Sequence, residues 1–337
     1  CHLSGIGLYS AKLLASINPL HRLVLVGRNI ESAEAARKEV LKVLPRDGGY
    51  HEHIIALACD HCCLSQIPAF SKQLRVRLDE TYRIEKWAMN GLDVLCLNAA
   101  VMVAKDSKPT FTEDELETTF QTNYLAPFLI GQYIQDIVNP GGRVVLTTSG
   151  LHVNQKVRFD GMVDSNSGSA KRRFAMIDDS EFHFKQSYAL SKLCNVAYCM
   201  ELQRILQPRD ITVNCFSPGL MTRSGLFRHQ AHLGDPTTIV QKKHVLQMEK
   251  PVEWGAGALV YMALADATGQ RGGQFWRDAD SMLRGDAVYG RDFVPCQLTD
   301  ETICPQHRRM LWKLSCELAQ ESERKHKKHH TAITSTL

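Results

Sequence analysis

Tyr188 and Lys192 stand four residues apart in Tyr188-Ala189-Leu190-Ser191-Lys192, inside a stretch of strong helical composition. That spacing puts both side chains on one face of a helix. A phenol near its ordinary pKa of about 10 is a poor proton donor or acceptor at neutral pH. An ammonium beside it favours the phenolate and lowers that value. Such a pair suits a reaction that moves a proton next to a hydride transfer, and the same lysine can hold a nicotinamide ribose. The spacing alone is also that of an amphipathic helix with a snorkelling lysine. Three companions narrow the choice. Ser149 ends the apolar run Val144-Val145-Leu146-Thr147-Thr148, where its hydroxyl can polarise a substrate oxygen. Asn123 lies in the long helical stretch before that run and is placed to hold a proton-relay water. Ser217-Pro218-Gly219 follows a later apolar run, where backbone amides can meet a carboxamide, with Thr222 nearby for a diphosphate.

A second group reads as a nucleotide cradle. Ser4-Gly5-Ile6-Gly7 precedes a helical stretch, and glycines at a strand-to-helix turn let the backbone approach a pyrophosphate at the positive end of a helix. The next apolar run ends in Val26-Gly27-Arg28-Asn29. An acidic residue there would bond the ribose 2′-hydroxyl; Arg28 offers a positive fork to a 2′-phosphate, which favours NADP(H) over NAD. Asp60, at the end of the following strand, can bond the adenine amine. Asn98 and Ala99, at the end of the strand after that, let the nicotinamide ribose lie against the backbone, although asparagine is also a common turn residue.

The elements that must position these groups alternate. Leu23–Val26, Ile54–Leu57, Asp93–Leu97, Gly142–Leu146 and Ile211–Cys215 read as strands. Stretches 32–44, 66–86, 113–137 and 188–206 read as helices. Near-continuous apolar strands between helices predict an α/β fold with a doubly wound parallel sheet of Rossmann type, its ligands at the strand C-terminal ends. One domain is expected over 1–322, with an insertion at 151–187 and a lid over the substrate within 225–250. The basic run Glu323–His330 and the polar residues after it predict a disordered tail, 323–337. The chain opens at Cys1, already inside the glycine motif, so the first strand and any targeting segment are expected to lie outside it.

The 337 residues are 44% hydrophobic and 23% charged with a net charge of +4, ordinary for a globular protein and far from the concentrated basic charge of a nucleic-acid partner. No apolar run reaches the roughly 18 residues that span a bilayer, which leaves peripheral contact, through apolar loop surface or between the basic run and an anionic surface, as the membrane reading. The 11 cysteines are scattered, as in a reducing, intracellular compartment. Cys59, Cys62 and Cys63 lack a second ligand pair at zinc-like spacing, so no metal is expected.

Taken together, the residues resemble the short-chain dehydrogenase/reductase family over nearly the whole chain. Ser149, Tyr188, Lys192 and Asn123 match its catalytic tetrad, and Gly5, Gly7 and Asn98 its cofactor motifs; Cys1 stands where the first motif glycine would fall. Within the family the chain is most similar to the light-dependent protochlorophyllide oxidoreductases. That likeness rests on Asn98-Ala99-Ala100-Val101, on Pro109-Thr110-Phe111-Thr112, on the insertion closing with Ala175-Met176-Ile177-Asp178, on Tyr188–Asn195, on Gly225–Arg228 and on Trp312–Ser315. It implies that NADPH reduces a ring double bond of a porphyrin-type pigment in chlorophyll biosynthesis. Tyr188 would give the proton, Lys192 would tune it and Cys194 would line the pigment pocket, in a plastid. Cys194 read by itself is equally a buried helix thiol. Two departures stand out: Ala189 and Leu190 replace polar residues of that branch, and Pro127 replaces a histidine. A retinol-dehydrogenase-like or carbonyl reductase acting in the dark fits Ser149-Gly150-Leu151-His152 and Ser191-Lys192-Leu193. A non-catalytic NADP-binding scaffold is the reading from another class, and the intact tetrad argues against it.

Overall fold

The computed structural model describes residues 5–45, 48–85, 91–103, 108–156, 176–177, 182–221, 224–227, 249–278 and 293–334. Ser4, Thr222 and most of both the insertion and the expected lid lie outside these residues.

The chain alternates as expected. Helix α1 (Ile6–Ile17) leads to β1 (Leu23–Gly27), α2 (Ile30–Leu41), β2 (Ile54–Ala58), α3 (Gln66–Glu85) and β3 (Leu92–Leu97). A short helix α4 (Thr118–Phe120), a π-helical turn (Gln121–Leu125) and α5 (Ala126–Ile134) then run continuously into one another. They are followed by β4 (Val138–Thr147), the long helix α6 (Phe184–Leu206), β5 (Thr212–Phe216), α7 (Val252–Leu264), β6 (Phe275–Asp278), β7 (Phe293–Cys296) and α8 (Pro305–Thr334). Strands β3-β4-β5-β6-β7 form one sheet, parallel except for β7, and β1-β2 form a separate parallel pair. Among the described residues β1 and β3 are therefore both edge strands.

Alternation along the strands builds two cores. Val144 and Leu146 of β4, Val213 and Cys215 of β5 and Phe275 of β6 face the layer of α3, α5 and α6. Their neighbours Val145, Phe216 and Trp276 face α7, with Phe293. This period of two, with helices on both faces, is the signature of a doubly wound sheet. Helix α1 packs beside α7, where the Ser10 hydroxyl donates to the Ala256 carbonyl at 3.2 Å.

Two expectations are corrected. The stretch 113–137 is not one helix. Phe111 and Glu117 pair across a tight turn in which Glu115 has φ 64, and the helix begins only at Thr118. The cause is Glu117, whose buried carboxylate caps the helix by accepting from the amides of Thr119 (2.9 Å) and Phe120 (2.8 Å). The tail is not disordered either, because α8 continues through Thr334. Its residues have partners that the composition conceals: Lys325 pairs with Glu115 at 2.9 Å, Tyr133 donates to Glu323 at 3.0 Å, and Glu321–Lys325 and Glu323–Lys327 support the helix at i,i+4.

Asp114 is the anchor of this arrangement. Its buried carboxylate accepts from the Leu64 amide (3.0 Å), Gln121 Nε2 (2.8 Å), the Ser322 hydroxyl and His326 Nε2 (2.9 Å). Removing it strands several buried donors at once, so Asp114→Ala should cost about 3 kcal/mol of folding stability. Urea denaturation checks this, and a loss below about 1 kcal/mol would show that α8 holds without it.

Candidate functional site

Tyr188 and Lys192 lie in α6, which is buried through almost its whole middle. Burial of a lysine demands a partner, and Lys192, only 1% exposed, finds the Thr147 carbonyl at 2.9 Å. Thr148 closes the same contact from the other side, its hydroxyl donating to the Lys192 carbonyl at 3.0 Å. The end of β4 and the middle of α6 are thus fastened together at the lysine. The Lys192 ammonium lies 5.5 Å from the centre of the Tyr188 ring. Ser149, two residues beyond Thr147, is near enough to the Tyr188 hydroxyl to lower its pKa.

The electrostatics differ from the expectation drawn from spacing. Burial pushes the Tyr188 phenol well above its usual pKa; the nearby Ser149 hydroxyl pulls the other way and loses. Burial also lowers Lys192 to about 7. Without nucleotide, therefore, the phenol is held protonated and the lysine is held near the point where it loses its charge. The expected lowering of the phenol by the ammonium is absent because the lysine sits over the ring rather than at the hydroxyl.

Asn123 occupies the π-helical turn. Its side chain clamps Val101, accepting from the backbone N–H at 2.7 Å and donating to the carbonyl at 2.9 Å, and also donates to the Ser191 hydroxyl at 3.0 Å. Ser191 in turn donates to the Tyr188 carbonyl at 2.7 Å. The loop after β3, the π turn and α6 are therefore bound through one amide.

The expected nucleotide residues lie at the ends of the strands. Gly5 has φ 65, a left-handed conformation that glycine takes without penalty, and leads into Ile6 and Gly7 in the first turn of α1, whose N-terminus no side chain caps. Arg28 is exposed just past β1. Asp60 follows β2 and holds the Cys62 amide at 2.9 Å. Asn98 follows β3 and accepts from the Thr147 hydroxyl at 2.9 Å; Ala99 comes next. Pro218 is buried and Gly219, with φ 89, turns the chain after β5. An uncapped helix start, an exposed guanidinium and a row of strand ends fit a nicotinamide dinucleotide, whose negative phosphates would meet the positive end of α1. Ser4 and Thr222, expected beside the phosphates, lie outside the described residues.

One expected position is corrected. Cys194 is 0% exposed and packs in the main core, its sulfur 3.7 Å from that of Met176. Six residues along α6 from Tyr188, it has rotated away from the tyrosine's face. That face meets a different cluster: buried Met102 and Phe184, with Val103, Phe182 and Leu226 half-buried around them.

Sequence reasoning missed several supports. His152, fully buried, bonds the Ser149 carbonyl through Nδ1 at 2.6 Å and meets Phe275 edge to face at 4.7 Å. Burial lowers its pKa, which keeps the imidazole neutral. Its place three residues after Ser149 was the available signal. Lys250 and Asp278 form a buried ion pair at 3.5 Å, with Lys250 over the Trp254 ring at 5.0 Å and packed against Gly219. Nothing in the local sequence pairs those two residues.

Comparisons with known proteins agree with this fold. Residues 2–161 match the model of the short chain dehydrogenase family. The chain is 28% identical to the WW domain-containing oxidoreductase of Pongo abelii over 94% of its own length, and spans 66% of that protein. It is 26% identical to protochlorophyllide reductase A, chloroplastic, of Arabidopsis thaliana, with 94% of this chain and 74% of that one covered. A short chain dehydrogenase from Burkholderia cenocepacia J2315, solved in complex with NADP, shares the fold with a TM-score of 0.55 at 20% identity, over 81% of this chain and 91% of that one. With a parallel sheet wound on both faces and serine, tyrosine and lysine gathered at the strand ends, the chain has the fold of the short-chain dehydrogenases, whose family model its residues 2–161 match.

Proposed function

We propose that this protein is an NADPH-dependent reductase of an apolar carbonyl compound, working in the dark. The observation that carries the reading is the Ser149 hydroxyl acting on a Tyr188 phenol that burial keeps protonated. Two neighbouring hydroxyls can both donate to one substrate oxygen, and a phenol already holding its proton suits reduction, in which that proton is given. A ring double bond offers no oxygen to this pair. The apolar side chains of Met102, Phe184, Phe182 and Leu226 around Tyr188 favour an apolar substrate, such as a retinoid-like aldehyde.

Bound at the strand ends, the nicotinamide would supply the hydride. The chain's residues do the rest. Ser149 orients and polarises the substrate oxygen, and Tyr188 protonates it. Lys192 holds the ribose and returns charge balance to the phenol as its proton leaves. Asn123 ties the loop carrying Asn98 and Ala99 to α6. Gly5, Ile6, Gly7, Pro218 and Gly219 bring backbone close to the cofactor, Asp60 faces its adenine end, and Arg28 selects the 2′-phosphate. The NADP in the Burkholderia relative supports that selection.

A second reading, reduction of a porphyrin-type pigment in a plastid, is favoured by the relative in Arabidopsis thaliana, a protochlorophyllide reductase that this chain matches over 94% of its length. The withdrawal of Cys194 into the core weighs against it. Peripheral membrane contact belongs to either reading, as apolar substrates partition into bilayers.

The readings separate in one assay. NADPH oxidation with apolar aldehydes or ketones in darkness supports the carbonyl reductase; turnover of protochlorophyllide alone, and only in light, would replace it with the pigment enzyme. Tyr188→Phe should cut turnover at least roughly a hundredfold, and near-normal rates would remove the phenol from the chemistry. Arg28→Ala should weaken NADPH relative to NADH by roughly tenfold, read by fluorescence titration of both; an unchanged ratio would leave the 2′-phosphate without this partner. Lys192 makes a further prediction. Its folded-state pKa of about 7 lies below its ordinary 10.5, so between those values the unfolded chain binds the extra proton. Stability from this group rises with pH through that window. Without nucleotide, the wild-type melting temperature should climb from about pH 7 to about pH 9 relative to Lys192→Met, and parallel curves would contradict the buried lysine.

A further inference from the structure

Pro127 creates a local deficit next to the site. A helix satisfies each carbonyl with the N–H four residues on, or five in a π turn. Proline has no N–H. Pro127 therefore gives nothing to the carbonyl of Asn123, four residues before it, or to that of Thr122, five residues before it. The Ala126 amide is already committed, bonding back to the Gln121 carbonyl in the π register. Thr122 and Asn123 are both buried, at 1% exposure each, where an unpaired carbonyl is costly.

Two side chains from other elements fill both places. Asn195 of α6 donates Nδ2 to the Asn123 carbonyl at 3.0 Å. His61, in the turn after β2, bonds the Thr122 carbonyl through Nδ1 at 3.2 Å, and a carbonyl can only accept, so Nδ1 carries the proton. Burial holds that imidazole neutral, with a pKa lowered to about 4. Gln121 adds a return bond, its Nε2 donating to the His61 carbonyl at 3.1 Å.

We propose that Asn195 and His61 are positioning residues that together replace the missing N–H of Pro127 and so fix the π turn that carries Asn123. The consequence reaches both halves of the site. Asn195 lies on α6 one turn past Lys192, so the turn is registered against the proton-transfer helix. His61 follows Asp60, so the same turn is registered against the adenine end of the cofactor cradle. Asn123 can clamp Val101 and Ser191 only if its backbone stays at this height between them. The effect on turnover rests on the reductase reading above; the effect on the turn itself does not.

The proline provides the test. In Asn195→Leu the Asn123 carbonyl loses its donor with little change in volume. Amide hydrogen exchange across 121–128, measured without nucleotide, should accelerate, and kcat should fall by roughly ten- to a hundredfold with nucleotide affinity unchanged. Adding Pro127→Ala restores a backbone N–H to the Asn123 carbonyl, and the double variant should regain both slow exchange and turnover. Pro127→Ala alone should behave as wild type. If Asn195→Leu does not fold, Asn195→Asp, of the same size, carries the same test by setting a carboxylate against the carbonyl. Wild-type exchange and turnover in the Asn195 variants would overturn the proposal, as would failure of Pro127→Ala to recover either. A wild-type protein that reduces no carbonyl would sink the reductase reading and still leave the exchange result to decide this one.

Discussion

The burial of the Lys192 ammonium constrains everything around it. An amine taken out of water keeps its charge only at a cost, and here the Thr147 carbonyl is its hydrogen-bond acceptor among the described residues. The end of β4 must therefore stay in register with the middle of α6. Thr148 secures that register from the neighbouring residue, and Ser149 reaches the phenol because Thr147 and Thr148 are already fixed. The site is less a set of reactive side chains than a seam between one strand and one helix.

That seam explains what the sequence disclosed and what it hid. The strands at 23–26, 54–57, 93–97, 142–146 and 211–215 were legible because each is a compact apolar run set between stretches of helical composition. Ser149, Tyr188 and Lys192 were legible because helical spacing and strand ends place them together without reference to the rest of the chain. Strands β6 and β7 were not, since each has only four residues and includes polar or proline positions that resemble loop. The basic end of the chain was misread for a related reason. Lys325 and His326 find their distant partners in Glu115 and Asp114, some two hundred residues earlier, and composition carries no record of partners at that distance.

The chemistry of the site shows the same division. Spacing identified the phenol and the ammonium as neighbours but not the depth at which both are buried, and depth reverses the expected effect on the phenol. Likewise, Cys194 sits two residues past the lysine in sequence, yet that step on a helix turns it toward Met176 and away from the tyrosine's apolar cluster. His152 and the Lys250–Asp278 pair stayed hidden because they support the backbone of the site rather than its reacting groups.

The anchoring of α8 on Asp114 has a mechanical corollary. Gln121, in the π turn, and Ser322 and His326, near the chain's far end, grip the same carboxylate. A tug on the last helix is thereby delivered to the turn bearing Asn123, with no intervening loop to absorb it. Whatever the final helix meets in the cell, its grip on Asp114 gives that encounter a lever arm into the centre of the molecule.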